Sequence, residues 1–83
     1  MQFNANVYVS LKPTVNDPQG VTIQNALKSL GFQGFSDVRA GKYFTLRVEA
    51  ADAAKAGEQV DEACQKLMAN PVIEQYQYEL EQA

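Results

Sequence analysis

Between Phe3 and Leu11 apolar and polar residues alternate, with Phe3, Ala5, Val7, Val9 and Leu11 on one side and Asn4, Asn6, Tyr8 and Ser10 on the other. A period of two predicts a strand with one buried face. Lys12-Pro13 ends it. Asp17-Pro18 then starts a helix, because Asp17 can accept the free amides of a first turn and Pro18 at the first helical position gives up no hydrogen bond. Inside this helix Ile23, Ala26, Leu27 and Leu30 share a face, and Gly31 is a suitable C-terminal stop.

A second strand is predicted from Phe35 to Ala40, its alternation weakened by Asp37 and Arg39. The third is clearer: Phe44, Leu46, Val48 and Ala50 alternate with Tyr43, Thr45, Arg47 and Glu49. Asp52 can cap a second helix whose Ala53, Ala56, Val60, Ala63, Cys64, Leu67 and Met68 form an apolar stripe. Gly57 lies beside that stripe, where glycine either permits close approach to a sheet or marks a fraying first turn. Asn70-Pro71 closes the helix, and Val72 to Leu80 reads as a last strand with Tyr76, Tyr78 and Leu80 on one side.

The order β-α-β-β-α-β predicts an α+β fold of the ferredoxin-like kind, a four-stranded antiparallel sheet with both helices on one face. The other face should display Tyr8, Tyr43, Thr45 and Arg47. That surface is too polar for a second core, yet it carries enough aromatic area for an interface.

At 83 residues the chain is expected to form a single domain, 1–83. A domain of this size buries only ~60–65% of the surface its unfolded chain exposes, so self-association, most simply as a dimer, would help it. No linker, repeat or low-complexity run interrupts the pattern. No stretch approaches the ~20 apolar residues of a membrane span, and Met1 to Asn6 lack the basic start and apolar core of a secretory leader, which predicts a cytoplasmic location.

Charge is uneven along the chain. Residues 1–51 carry five bases and three acids, residues 52–83 two bases and seven acids, and the net charge is −3. Such a chain makes a poor nucleic-acid binder. It contains no histidine and a single cysteine, Cys64, so neither an internal disulfide nor a multi-thiol metal site is available. A catalyst near neutral pH would need a carboxylate, lysine, tyrosine or thiol forced far from its ordinary pKa, and a domain this small offers little interior for that.

Three charges and a tyrosine crowd the segment Asp37-Val38-Arg39-Ala40-Gly41-Lys42-Tyr43. Gly41 is expected to supply the positive φ of a tight turn, throwing Arg39 and Lys42 outward toward a carboxylate or phosphate on another molecule. Asp37, Arg39, Lys42 and Tyr43 are therefore candidate subunit-interface residues. Tyr76 and Tyr78 join them from the last strand, whose rim of Glu74, Glu79 and Glu81 discourages uncontrolled pairing but leaves room for a specific partner.

Other constellations are weaker. Glu58, Asp61 and Glu62 read as the solvated side of a helix, and Cys64 as a core thiol without an activating partner. Gln19-Gly20-Val21 sits where an acylphosphatase keeps its phosphate loop, but the arginine that loop needs is absent from Thr22-Ile23-Gln24. An RNA-recognition domain would require more outward aromatics in a basic surface than Tyr43 provides.

Taken together, Val7-Tyr8-Val9-Ser10-Leu11-Lys12, Asp17-Pro18-Gln19-Gly20, Asp37 to Tyr43 and Leu67-Met68-Ala69-Asn70-Pro71-Val72-Ile73-Glu74-Gln75-Tyr76 resemble the PurS family, the small subunit of phosphoribosylformylglycinamidine synthase in purine biosynthesis. The resemblance runs over nearly the whole chain. The chain departs from the pattern at Met68, in place of a second leucine, and in the alanine-rich start of the second helix, both apolar or helix-favouring changes.

The resemblance implies a non-catalytic subunit that bridges a glutaminase, PurQ, and a synthetase, PurL. It implies help for ammonia passing between them while the complex uses ATP, Mg and glutamine to convert formylglycinamide ribonucleotide into formylglycinamidine ribonucleotide. It implies no cofactor on this chain alone. The alternative reading is a small-molecule-sensing module of the ACT kind, which shares the element order and dimerises but usually binds ligand at a glycine-bearing turn. The corresponding turn here, Lys12-Pro13-Thr14-Val15-Asn16, has no glycine.

Overall fold

The computed structural model describes all residues, Met1–Ala83. Strand β1 (Gln2–Leu11) alternates as its sequence dictates, burying Phe3, Ala5, Val7 and Val9. It is the central strand of a three-stranded antiparallel sheet, flanked by β2 (Gly41–Glu49) and β3 (Glu74–Gln82) in the order β2-β1-β3. Register follows the apolar rows, with Val7 opposite both Phe44 and Tyr78 and Ala5 opposite both Leu46 and Leu80. A one-residue slip would turn every one of these side chains to the other face.

Helix α2 (Ala53–Ala63) covers the apolar face. Asp52 caps it by accepting the Lys55 amide at 2.8 Å, and Ala56 and Val60 are buried against the sheet. The main core joins Ala5, Val7 and Val9 to Val60, Cys64 and Ala69, and a smaller one joins Phe3, Ala50 and Ala56. Cys64–Met68 then continues as a π turn, closed by the Ala69 amide donating to the Cys64 carbonyl at 2.9 Å. The widened turn shifts the helical phase. Leu67, expected on the apolar stripe, is 86% exposed, whereas Met68 still packs on the core.

Two features depart from the four-stranded expectation. Residues 35–40 form no strand. Asp37 takes a left-handed φ of 54°, which breaks the extended run, and the Ala40 amide donates to the Asp17 carboxylate instead of to a neighbouring strand. Helix α1 (Pro18–Ser29), moreover, does not pack on the sheet as α2 does: it makes no extensive contact with any strand and buries only Gly20. The last strand also begins later than its sequence suggests, because Asn70 folds the chain into a turn that accepts the Ile73 and Glu74 amides on its carbonyl and the Val72 amide on its side chain.

Helix α1 is locally well made despite standing apart. Asp17 accepts the Gly20 amide, Pro18 opens the first turn, and Gly31 ends the helix at φ 96°. The Gly31 amide donates to Lys28 and the Phe32 amide to Leu27, the paired bonds of a Schellman stop. The result is an elongated molecule of 51 × 26 × 14 Å with a radius of gyration of 16.4 Å. A compact chain of this length would have about 12 Å. Only 11 of 83 residues are buried, so α1 and its following segment behave as an arm beside a thin two-layer body.

Candidate functional site

The six interface candidates divide among three places. Asp37, Arg39 and Lys42 lie where β1 ends and β2 begins. The Arg39 guanidinium donates through Nη2 to the Lys12 carbonyl at 3.0 Å, and Lys42 Nζ stands 3.3 Å from Glu74 Oε2, spanning β1 from one flank to the other. Gly41 does not turn the chain, since it lacks a positive φ and belongs to β2. It is glycine for another reason: a Cβ there would lie 2.7 Å from the Val9 carbonyl oxygen.

The tyrosines separate. Tyr43 is on the open face, stacked on its cross-strand partner Tyr8 with ring centroids 5.1 Å apart and its hydroxyl donating to Asn6 Oδ1 at 3.2 Å. Tyr76 and Tyr78 are on the opposite face, beneath α2. Tyr76 donates to Asp61 Oδ1 at 2.6 Å, and Tyr78 donates to the Gly57 carbonyl at 3.3 Å. These two hold the helix on the sheet. Tyr43 alone of the three faces away from the core.

The arm supplies an exposed apolar surface that includes Leu30, expected on the helix's apolar face, and Phe35, expected in a strand. Val21, Leu30, Phe32 and Phe35 are half or more exposed or close to it, and the two phenylalanines meet edge to face at 5.5 Å. The spacing Leu30-Gly31-Phe32-Gln33-Gly34-Phe35 is the signal, since aromatic residues that each directly follow a glycine suit a loop better than a core strand. On the sheet, Phe44, Leu46 and Val48 of β2 are only half-buried, because α2 alone roofs them.

The junction between arm and body is built on Asp17. Its carboxylate is buried and accepts the Ala40 amide at 2.7 Å and the Gly20 amide at 2.9 Å. Those bonds, the Ala40 amide foremost, hold the carboxyl below the usual carboxylate range. Glu74 is lowered in the same way, first by the Asn70 amide and then by Lys42. Conversely, Asp61 beside Tyr76 and Glu79 beside Tyr8 raise both phenols, and burial raises the Cys64 thiol.

Each of these shifts moves a group farther from neutrality. A general acid or base at pH 7 needs the opposite displacement. The carboxylates of α2 do not converge either. Glu58 pairs with Lys55, Glu62 with Lys66, and Asp61 receives Tyr76 and Gln65. No helix is long and apolar enough to cross a membrane.

Comparison with known proteins fits this geometry. A PurS family model, described as phosphoribosylformylglycinamidine (FGAM) synthase, matches residues 4–82. The PurS subunit of Bacillus subtilis is 48% identical over 80 residues, covering 96% of this chain and 94% of the relative. That of Synechocystis is 46% identical over 78 residues, covering 94% of this chain and 78% of the relative. A crystal structure of Bacillus subtilis PurS superposes with a TM-score of 0.89, covering 96% of this chain and 99% of that one. The structure of PurLQS from Thermotoga maritima contains a chain that matches at 34% identity and a TM-score of 0.90, over 98% of this chain and 99% of that one. These matches displace the sensing-module reading, and with fold and sequence in agreement the chain belongs to the PurS family.

Proposed function

We propose that this chain is the small, non-catalytic subunit of a cytoplasmic phosphoribosylformylglycinamidine synthase complex. It bridges a glutaminase subunit, PurQ, and a synthetase subunit, PurL, and helps ammonia pass from one to the other. ATP, Mg and the nucleotide substrate belong to the synthetase. The observation that carries this reading is the end-to-end match to a chain of PurLQS, over 98% of this chain and 99% of that one. Arg39 and Lys42, at the junction of β1 and β2, are proposed to meet carboxylates of a partner, since Arg39 spends one donor on Lys12 and leaves the rest of its fork free.

Within that complex the chain acts as a homodimer. Its accessible surface is 5862 Å², against about 4,900 Å² for a compact monomer of this mass. The excess is somewhat more than the ~800 Å² that each partner contributes to a standard interface. The apolar face of α1 and the half-open row Phe44, Leu46 and Val48 are complementary, yet one chain does not bring them together. A second copy supplies the missing cover for each.

The test is reconstitution. Purified chain is mixed with the synthetase and glutaminase subunits of the same organism, and glutamine-dependent formation of formylglycinamidine ribonucleotide is followed. Turnover is expected only with all three, together with co-sedimentation of this chain. An unchanged rate when the chain is omitted, with no co-sedimentation, overturns the reading.

A further inference from the structure

The open face of the sheet has a composition that solvent exposure alone does not call for. Its outward positions on β1, β2 and β3 include five side-chain amides, those of Gln2, Asn4, Asn6, Gln75 and Gln77, and neither a lysine nor an aliphatic residue. Lysine is the residue that idle surfaces accumulate and that interfaces lose, whereas tyrosine, serine and asparagine recur where proteins read one another through adaptable hydrogen bonds.

The centre of this face is held in place before anything binds. Tyr8 and Tyr43 stack, Tyr43 is tied to Asn6, and Glu79 lies beside the Tyr8 phenol. Ordering such side chains in advance removes part of the entropy that association otherwise costs. Shallow depressions flank the pair, one bordered by Ser10, Gln75 and Gln77, the other by Asn4, Thr45 and Arg47. The face is net acidic, with the carboxylates of Glu49, Glu79 and Glu81 against the single guanidinium of Arg47, and Glu49 is already paired with the Met1 amino group. Glu79 and Glu81 stand on β3 without a cationic partner, and Arg47 stands on β2 without an anionic one.

We propose that this face docks a different subunit of the complex, one presenting a basic, hydrogen-bonding surface to Glu79 and Glu81, with the Tyr8–Tyr43 pair as anchor. The inference rests on the subunit reading above and assigns it a surface. A second copy of this chain is the poorer occupant, because permanent homodimer interfaces are apolar and this face has no aliphatic residue to contribute. The apolar arm and β2 row already provide the surface that self-association requires.

The experiment measures binding of purified PurL and PurQ from the same organism, by sedimentation at several salt concentrations, to the full-length chain and two variants. Glu79→Lys with Glu81→Lys reverses the charge, and Thr45→Arg crowds the face without removing any carboxylate. Both are expected to weaken binding of one of the two subunits at least tenfold while far-UV circular dichroism and self-association stay as in the wild type. The wild-type affinity should rise as salt is lowered, and the charge-reversed variant should lose that dependence. Wild-type affinity in both variants overturns the assignment, as does a change in the chain's own oligomeric state in place of subunit binding. If the wild type binds neither subunit, the subunit reading itself fails and takes this inference with it.

Discussion

Asp17 and Ala40, 23 residues apart, are joined by a 2.7 Å bond from the Ala40 amide to Asp17 Oδ2. The other carboxylate oxygen caps Gly20 at 2.9 Å, so one side chain sets both the start of α1 and the entry to β2. Its folded pKa is lowered, chiefly by these amides. The stability it contributes is therefore complete above the unfolded carboxylate value and is lost as pH falls through the folded one. Asp17→Ala should lower the thermal midpoint by several degrees at pH 7 and should flatten the acid limb of a pH–stability profile. A variant that keeps the wild-type acid limb would show that another carboxylate governs it.

Two glycines should respond in opposite ways to alanine. At Gly20 a Cβ would sit 2.0 Å from the Val38 carbonyl oxygen, a backbone atom that cannot step aside, so Gly20→Ala should tear the arm from its junction. At Gly57 a Cβ would meet Leu80 Cδ1 and the Tyr78 hydroxyl at 3.6 Å, an ordinary contact distance. Gly57→Ala should stabilise the chain by about 0.5–1 kcal/mol through helix propensity alone. Urea titration of both variants decides the pair, and a destabilised Gly57→Ala would mean that α2 needs closer approach to β3 than its geometry suggests.

Leu30 is 73% exposed and Phe35 50% exposed, on the arm that one chain leaves uncovered. Replacing both by aspartate should barely affect the secondary structure of the monomer, since neither packs on the core. Self-association should collapse to the 9.2 kDa species by sedimentation equilibrium. Retention of the wild-type particle mass would remove the arm from the dimer contact.

Lys42 and Glu74 should contribute unequally although they form one ion pair. Lys42 is half exposed, so Lys42→Ala should cost no more than ~1 kcal/mol. Glu74 is 13% exposed in its side chain and also accepts the Asn70 amide at 2.7 Å. Glu74→Ala should cost about 1.5–3 kcal/mol, the range for hydrogen bonds to charged groups. Its pKa is lowered as well, so this loss should fade in acid as the wild type's own Glu74 becomes protonated. Equal losses in the two variants at pH 7 would place the stabilisation in the ion pair alone.

Much of this architecture was legible in residue order. The alternation of β1 and β2, both aspartate caps and the polar tyrosine-bearing face are local patterns, and local patterns survive folding intact. Leu67 escaped because a single extra residue in a π turn shifts phase without any signature in composition. Residues 35–40 failed as a strand because Asp37 turns left-handed and the Ala40 amide is committed to Asp17, a long-range competition that β propensity does not register. Among the interface candidates, alternation correctly placed Tyr76 and Tyr78 on one side of β3. Which side held the helix was not written in the strand itself, and the bonds to Asp61 and Gly57 show that both phenols lie on the helix side.

The outlying position of α1 has a consequence for how this protein endures in a cell. A fold that keeps its apolar surface inside owes its persistence to itself, and its melting temperature is the same in dilute and concentrated solution. Here much of that surface is carried on the outside of an arm, so mass action enters: the thermal midpoint should climb with concentration, and scarce chains should be the first to be degraded. Under the proposed self-association, supply of the subunit would be tied to its own abundance, and copies made in step with their companions should outlast those made alone.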